Sequence, residues 1–360
     1  MTTYWTLPLL LASLASAART QSASSHLVPA YGVVIPSWQG FGTSLGPWAC
    51  VAGGSSMETK YADLFFTTKT VTLKIGGVDI PLPGLGLNIV RYNVGGTGRQ
   101  GDFPGVTEYF NGGVSSTATG LNWWDLVEGY WINGLSNSSS NWDWSRDVNQ
   151  RSMLKAAVAR KSSMSSFIHK HPCELSLGGN LTDHTLTLFP EYVSQVVKHA
   201  INDWKVNVTS VSILNEPSKG NWNYPNITEE GLNVVGKADK FNVHGYEMSN
   251  TARSKLSTAI GDLPFGYADN SGMNMATALL NDINHLNPKL AVQTTYPARA
   301  IATDIASKYY VFAQFTRFIR PGDQILNSGN LPKSVSWTYT ATDGSIVFRA
   351  HKNSVYSVEI

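Results

Sequence analysis

Residues 191–217 read EYVSQVVKHAINDWKVNVTSVSILNEP. Tyr192, Val193, Val196, Val197, Ala200, Ile201 and Trp204 fall on one face at helical spacing, with Pro190 just ahead of them. That pattern predicts an amphipathic helix over Glu191–Trp204, because proline suits a first turn and the apolar stripe needs a core. The next run, Thr209 to Leu214, reads as the strand that this helix feeds. It stops at Asn215-Glu216-Pro217. A helix feeding such a strand within a few residues is one αβ step of a parallel sheet.

The same step recurs on both sides. Upstream, Gly86 to Asn93 reads as a strand ending at Gly95-Gly96. A polar excursion follows from about Thr97 to Asn141, long enough for a functional loop. Asp147–Lys161 then has helical periodicity through Met153, Leu154, Ala157 and Val158, and leads into the strand Ser163–Ile168. A helix over Ser55–Phe66 precedes these, behind a glycine-rich turn at Gly40–Ser44. Downstream come a strand over Lys240–Tyr246 and two helices, Asn274–Leu286 and about Thr303–Ile319, stopped by Asn287-Pro288 and Pro321-Gly322. Seven or so such units predict an α/β fold, a (β/α)8 TIM-type barrel, rather than an open sheet.

The ends have a different rhythm. Leu27–Pro36 reads as a proline-limited edge strand, while Val335, Trp337 and Tyr339 alternate before an Asp343-Gly344 hairpin turn and a returning Ile346–Phe348. The expected organisation is therefore a signal peptide over 1–18, an N-terminal strand over 19–36, a barrel over 37–322 and a C-terminal β appendage over 323–360. The two end pieces would pack as a small β-sandwich-like unit. The apolar Leu7–Leu14 followed by Ala15-Ser-Ala17-Ala18 carries the signal-peptide reading, so the chain is expected to be secreted. No later run is long enough to span a bilayer. Four sequons, at Asn137, Asn180, Asn207 and Asn226, suit a glycoprotein.

A net charge of +2 with 14% charged residues offers no basic stripe, which argues against nucleic acid. Low charge beside 11 Trp and 15 Tyr suits a carbohydrate surface, since aromatic faces stack on sugar C–H faces. Cys50 and Cys173 permit at most one disulfide. His169, His171 and Cys173 alternate, but a metal site needs further ligands and none lies nearby in sequence; neither metal nor cofactor is expected.

In a parallel barrel the chemistry sits at the C-terminal ends of the strands. Glu216 falls there. Partial burial at a barrel mouth raises a carboxyl pKa, so that the group stays protonated and can donate to a leaving glycosidic oxygen. Asn215 beside it offers an amide to a sugar hydroxyl.

Six stretches in order carry a resemblance: Gly40–Leu45, Leu87–Gly96, Asp143–Arg151, Asn215–Ser218, Phe241–Tyr246 and Lys308–Gly322. Together they resemble glycoside hydrolase family 30, a clan A retaining family, and in particular its endo-β-1,6-galactanase-like branch. The resemblance implies a (β/α)8 barrel with an attached β-sandwich, a polysaccharide substrate and a monomer. It implies Glu216 as the acid/base, Asn215 on the hydroxyl next to the reacting carbon, Arg91 and Tyr246 near the nucleophile, and His244 and Trp222 lining the cleft. An internal ion pair is the other reading of Arg91, and a satisfied core position that of His244.

Two features depart from that pattern. Retaining chemistry needs a second carboxylate about 5–5.5 Å from the first. The segment Phe265-Gly266-Tyr267-Ala268-Asp269 puts Gly266 where the family has its nucleophilic Glu, which leaves the nucleophile unknown. Glu247 and Asp269 lie near the mouth, without the expected strand and position. In addition, only 22 residues separate Pro217 from Lys240, too few for a helix, a strand and a second helix, so strand five is expected to be missing. Three readings follow: a retaining hydrolase of β-linked galactan or a similar polysaccharide, a sugar-binding protein without turnover, and an incomplete product of such an enzyme's gene.

Overall fold

The computed structural model of the chain describes residues 33–95, 127–130, 138–168, 176–177, 180–181, 185–212, 241–242, 248–260, 265–266, 272–293, 307–323, 325–326, 336–341 and 344–349. The strands are β1 (Val33–Ile35), β2 (Gly40–Ser44), β3 (Thr70–Ile75), β4 (Val78–Pro83), β5 (Ile89–Val94), β6 (Ser163–Ile168), β7 (Ser176–Leu177), β8 (Asn180–Leu181), β9 (Val208–Ser212), β10 (Phe241–Asn242), β11 (Phe265–Gly266), β12 (Leu290–Gln293), β13 (Ile325–Leu326), β14 (Ser336–Ala341) and β15 (Gly344–Arg349). The helices are α1 (Gly46–Ala52), α2 (Glu58–Phe66), α3 (Val148–Val158), α4 (Thr185–Asn202), α5 (Asn250–Ile260), α6 (Gly272–Asn281) and α7 (Ser307–Thr316).

Five strands form a parallel sheet in the order β12-β2-β5-β6-β9, and β10 and β11 form a separate parallel pair. The chain thus winds from β2 outward through β5, β6 and β9, and returns to the far side of β2 with β12. That is the closing order of a βα barrel. Pairing of Gly40 with Leu290, Gly42 with both Val292 and Ile89, and Ser44 with Arg91 sets the faces. Ile89, Leu290 and Val292 form a small cluster of their own, which is the barrel interior. Phe41, Val90, Tyr92, Val94 and Ala291 point the other way, into the main core shared with the helices.

Gly40–Ser44, expected as a turn, is instead an interior strand. Its glycines are dictated by close approach. A Cβ on Gly42 would lie 2.6 Å from the Ile89 carbonyl oxygen, and Gly40, at φ +125°, has the Asn88 amide where its side chain would be. The Asn88 side chain accepts from Phe41 N–H at 3.1 Å and donates to Gln39 O at 2.9 Å, so one amide clasps the start of the strand.

Helix α4 begins at Thr185, ahead of Pro190, which lies inside it. Proline there forfeits only the bond to one carbonyl four residues back, and the rest of the helix carries on. The α7 helix stops at Thr316, ahead of the expected end at Ile319, and α6 runs through a π-helical turn, Asp282–Leu286, to Asn287 in the left-handed region at φ 56°. The sequence gives no warning of α1 or α5. The β3–β4 hairpin also goes unforeseen, although Gly76 and Gly77, at φ +56° and +84°, supply the two positive-φ residues such a turn needs.

Two arginines at the end of α7 fasten the lower edge of the sheet. Arg317 donates to the Thr68 and Gly84 carbonyls at 2.9 Å, and Arg320 to Gly86 O at 2.8 Å. β1 pairs antiparallel with β13, and β14 with β15. In the latter pair Ala341 faces Gly344, so Gly344 belongs to a strand and not to the turn expected at Asp343-Gly344. Among the described residues no helix is long and apolar enough to cross a membrane.

Candidate active site

The C-terminal ends of the barrel strands carry Ser44 on β2, Asn93 on β5, Ser212 on β9, Asn242 on β10, Gly266 on β11 and Gln293 on β12. Arg91 stands on the interior face of β5 in register with Ser44 and Ser165, half-buried, its carbonyl accepting from Leu45 N–H at 2.9 Å. Gly266 ends β11 and pairs with Asn242. Glu216, Asn215, Trp222, His244 and Tyr246 lie outside the described residues, as do Glu247, Asp269, His169, His171 and Cys173. Ser212, the last residue of β9, is four positions before Glu216.

One step above Arg91 on the same face is Asn93, fully buried. Ser44 Oγ donates to Asn93 Oδ1 at 3.3 Å, while Asn93 Nδ2 is buried and has no hydrogen-bond partner among the described residues. Here β2 has already turned away into α1, so β5 loses its neighbour on that side while still paired with β6. Gln150 of α3 takes that place: its Oε1 accepts from Asn93 N–H and its Nε2 donates to Asn93 O, both at 3.0 Å. A side-chain amide thus continues the sheet by one residue pair.

Behind Gln150 lies Asp147, fully buried at the start of α3 with φ 53°. Its carboxyl accepts from Gln150 Nε2 at 2.6 Å, from the Tyr92 hydroxyl, and from the Cys50 thiol at 3.7 Å. The Tyr92 and Tyr130 hydroxyls are bonded to each other, and Asp147 N–H donates to Glu128. Burial raises the Asp147 pKa to about 8, against the opposing hydrogen bonds from Tyr92 and Gln150. Burial likewise pushes the Cys50 thiol and the Tyr92 and Tyr130 phenols up. Burial thus favours the protonated form of the Asp147 carboxyl, and Cys50 is a free, buried thiol.

The segment at residues 127–130 runs against the top of β5, where a Cβ on Gly95 would lie 2.0 Å from Val127 O. Tyr192 ties it down, donating to Gly95 O at 2.7 Å and accepting from Tyr130 N–H at 3.3 Å. Near-parallel rings then step outward from Tyr192 through Trp142 and Trp144 to His199, with centroid spacings of 5.6, 4.9 and 3.9 Å. Both faces of each Trp are occupied by a neighbour, which makes this stack structural.

Ser44, Asn93, Gln150 and Asp147 were not singled out by sequence reasoning. Strand alternation places Asn93 with Arg91 and was the available signal; the Asp147–Gln150 spacing gives no hint of a partner on β5. Among the described residues no group of three His, Cys, Asp or Glu side chains is placed to hold a metal ion.

The fold is that of the catalytic domains of glycoside hydrolase family 30. An endo-β-1,6-glucanase matches with TM-score 0.56 and 12% identity, covering 89% of this chain and 90% of that one. The catalytic domain of the xylanase C of Talaromyces cellulolyticus gives 0.52 at 14%, over 87% and 83%, and an endoxylanase of Clostridium papyrosolvens gives 0.51 at 15%, over 88% and 82%. In sequence, the chain is homologous to an endo-β-1,6-galactanase of Hypocrea rufa, 25% identical over 84% of this chain and 76% of the relative. That alignment spans 378 positions, more than the 360 residues of the whole chain, so the relative carries segments with no counterpart here. No family profile matches the chain.

Proposed function

We propose that the chain is a secreted glycoside hydrolase that acts on β-1,6-galactan or a similar β-linked polysaccharide, with Glu216 as the acid/base of a retaining-type site. The observation that carries this is the homology to an endo-β-1,6-galactanase over most of the chain, with Asn215-Glu216-Pro217 just past the end of β9. A carboxyl at that level faces the cleft, protonates the leaving oxygen and later takes a proton from water. Arg91 and Asn93 line the same interior face of β5, and Asn215, Trp222, His244 and Tyr246 complete the sugar cleft. The apolar N-terminal run directs export.

A second reading is favoured by Gly266. A glycine at the end of β11, where the nucleophilic carboxylate is expected, suits a barrel that holds sugar chains and turns them over slowly or not at all. Only residues 213–240 separate β9 from β10 in sequence, a stretch short for a helix, a strand and a second helix, which supports a barrel lacking its fifth βα unit. β1, β13, β14 and β15 would form the β appendage.

The test is incubation of the purified chain with β-1,6-galactan. Release of reducing ends that disappears in Glu216→Gln supports the hydrolase. Retention of the chain on immobilised galactan without release selects the binding reading, and neither retention nor release rejects both.

A further inference from the structure

The interior face of β5 changes character from the barrel floor to its mouth. Ile89 belongs to the apolar cluster with Leu290 and Val292, Arg91 comes next on the same face, and Asn93 follows it at the C-terminal end. Asparagine is a poor strand former, because its short amide competes with the ladder for backbone partners. Here it is also fully buried. A residue that goes against both strand propensity and burial is expected where function retains it.

The other polar groups of Asn93 are accounted for. Its backbone N–H and C=O are taken by Gln150, both at 3.0 Å, and Gln150 is itself held by Asp147 at 2.6 Å. Its Oδ1 accepts from the buried Ser44 hydroxyl at 3.3 Å. Nδ2 has no partner among the described residues. Because the amide is planar, an Oδ1 turned toward Ser44 on β2 leaves Nδ2 facing away from that strand. A buried donor without an acceptor destabilises the free protein, and such an orphan marks a place where a further group completes the bond. This one lies at the end of the barrel where the strands finish and ligands bind.

We propose that Asn93 is a substrate-binding residue whose side-chain N–H donates to a hydroxyl oxygen of a sugar unit in the barrel mouth. The inference rests on the polysaccharide reading above and deepens it by naming a contact. A hydroxyl suits the position because it accepts from the amide and passes its own proton to another acceptor, so the amide is satisfied without a charge entering the barrel. Such a contact selects as well as binds: a sugar that lacks the hydroxyl leaves the amide unpaired and is rejected.

The test is calorimetric titration of the purified full chain with a sulfur-linked, hydrolysis-resistant β-1,6-galactotrioside and with versions of it that each lack one hydroxyl. The wild type is expected to bind the parent trioside and to bind one of the deoxy ligands about 10-fold more weakly. Ser44→Ala combined with Asn93→Leu removes both polar partners together and keeps their shape, so the melting temperature is expected to stay near that of the wild type while affinity for the parent falls by about 10-fold. For this variant the same deoxy ligand is expected to bind as well as the parent. A wild type indifferent to the loss of every hydroxyl overturns the inference without any variant. So does a folded double variant that binds the parent as tightly as the wild type, or one that keeps the wild type's sensitivity to the deoxy ligand. A wild type that binds no trioside overturns the contact, while its retention on immobilised galactan reports separately on the polysaccharide reading.

Discussion

Asp147 holds the top of β5, α1 and α3 together while sitting at a backbone angle that few non-glycine residues adopt. Its tight contacts favour the ionised form and its burial disfavours it; burial wins, giving a folded-state pKa of about 8. The sign follows from proton counting. Between the ordinary carboxylate pKa near 4 and about 8 the folded state binds the extra proton, so stability is fully present below that range and falls as pH rises through it. Asp147→Asn keeps the shape, tolerates the left-handed backbone and removes the titration. The melting temperature of the wild type is expected to decline from pH 5 to pH 8 more steeply than that of Asp147→Asn. Parallel curves for the two proteins would show that Asp147 ionises in the fold as it does in water. Nothing near Asp147 in sequence announces this role, because its partners Tyr92, Cys50 and Glu128 are gathered only by folding.

At the scale of elements, legibility tracks how local the cause is. The α2, α3 and α4 helices and the β5, β6 and β9 strands were readable because burial periodicity is written within a single segment. β2 was not, since Gly40 and Gly42 are glycines on account of Asn88 and Ile89, which no local pattern reveals. Gly42→Ala is therefore expected to cost about 1–3 kcal/mol in urea unfolding, the range for a forced overlap in a packed interior; an unchanged midpoint would mean that β2 and β5 can part freely. The α5 helix went unread for a related reason. It is anchored less by an apolar stripe than by Arg253, whose Nε meets Asp282 Oδ1 at 2.5 Å with both side chains almost wholly buried. Arg253→Ala strands a buried carboxylate and is expected to cost about 3–5 kcal/mol, whereas Arg253→Met with Asp282→Leu should recover most of it. Equal losses in the single and double variants, measured by denaturant melts, would argue against that ion pair as the anchor.

On the scale of the whole molecule, the order β12-β2-β5-β6-β9 and the likeness to family 30 catalytic domains agree with the barrel expected from alternating strands and helices. Of the site residues read from the sequence, Arg91 lies within the described part of the chain, on β5. Glu216 lies four positions beyond β9 in sequence, and Gly266 is the last described residue of β11. What no motif could supply is the amide relay from Asp147 through Gln150 to Asn93, which shapes the mouth from behind. The proposed function gives this chain the acid/base half of a retaining pair, with a glycine in the nucleophile's place.

The most direct measurement is reducing-end release from β-1,6-galactan by Gly266→Glu, alone and combined with Glu216→Gln. The account predicts that Gly266→Glu is faster than the wild type by roughly 10²–10⁴-fold, because it supplies the missing carboxylate, and that adding Glu216→Gln abolishes the gain. A folded Gly266→Glu protein no faster than the wild type, or one whose gain survives Glu216→Gln, would contradict it.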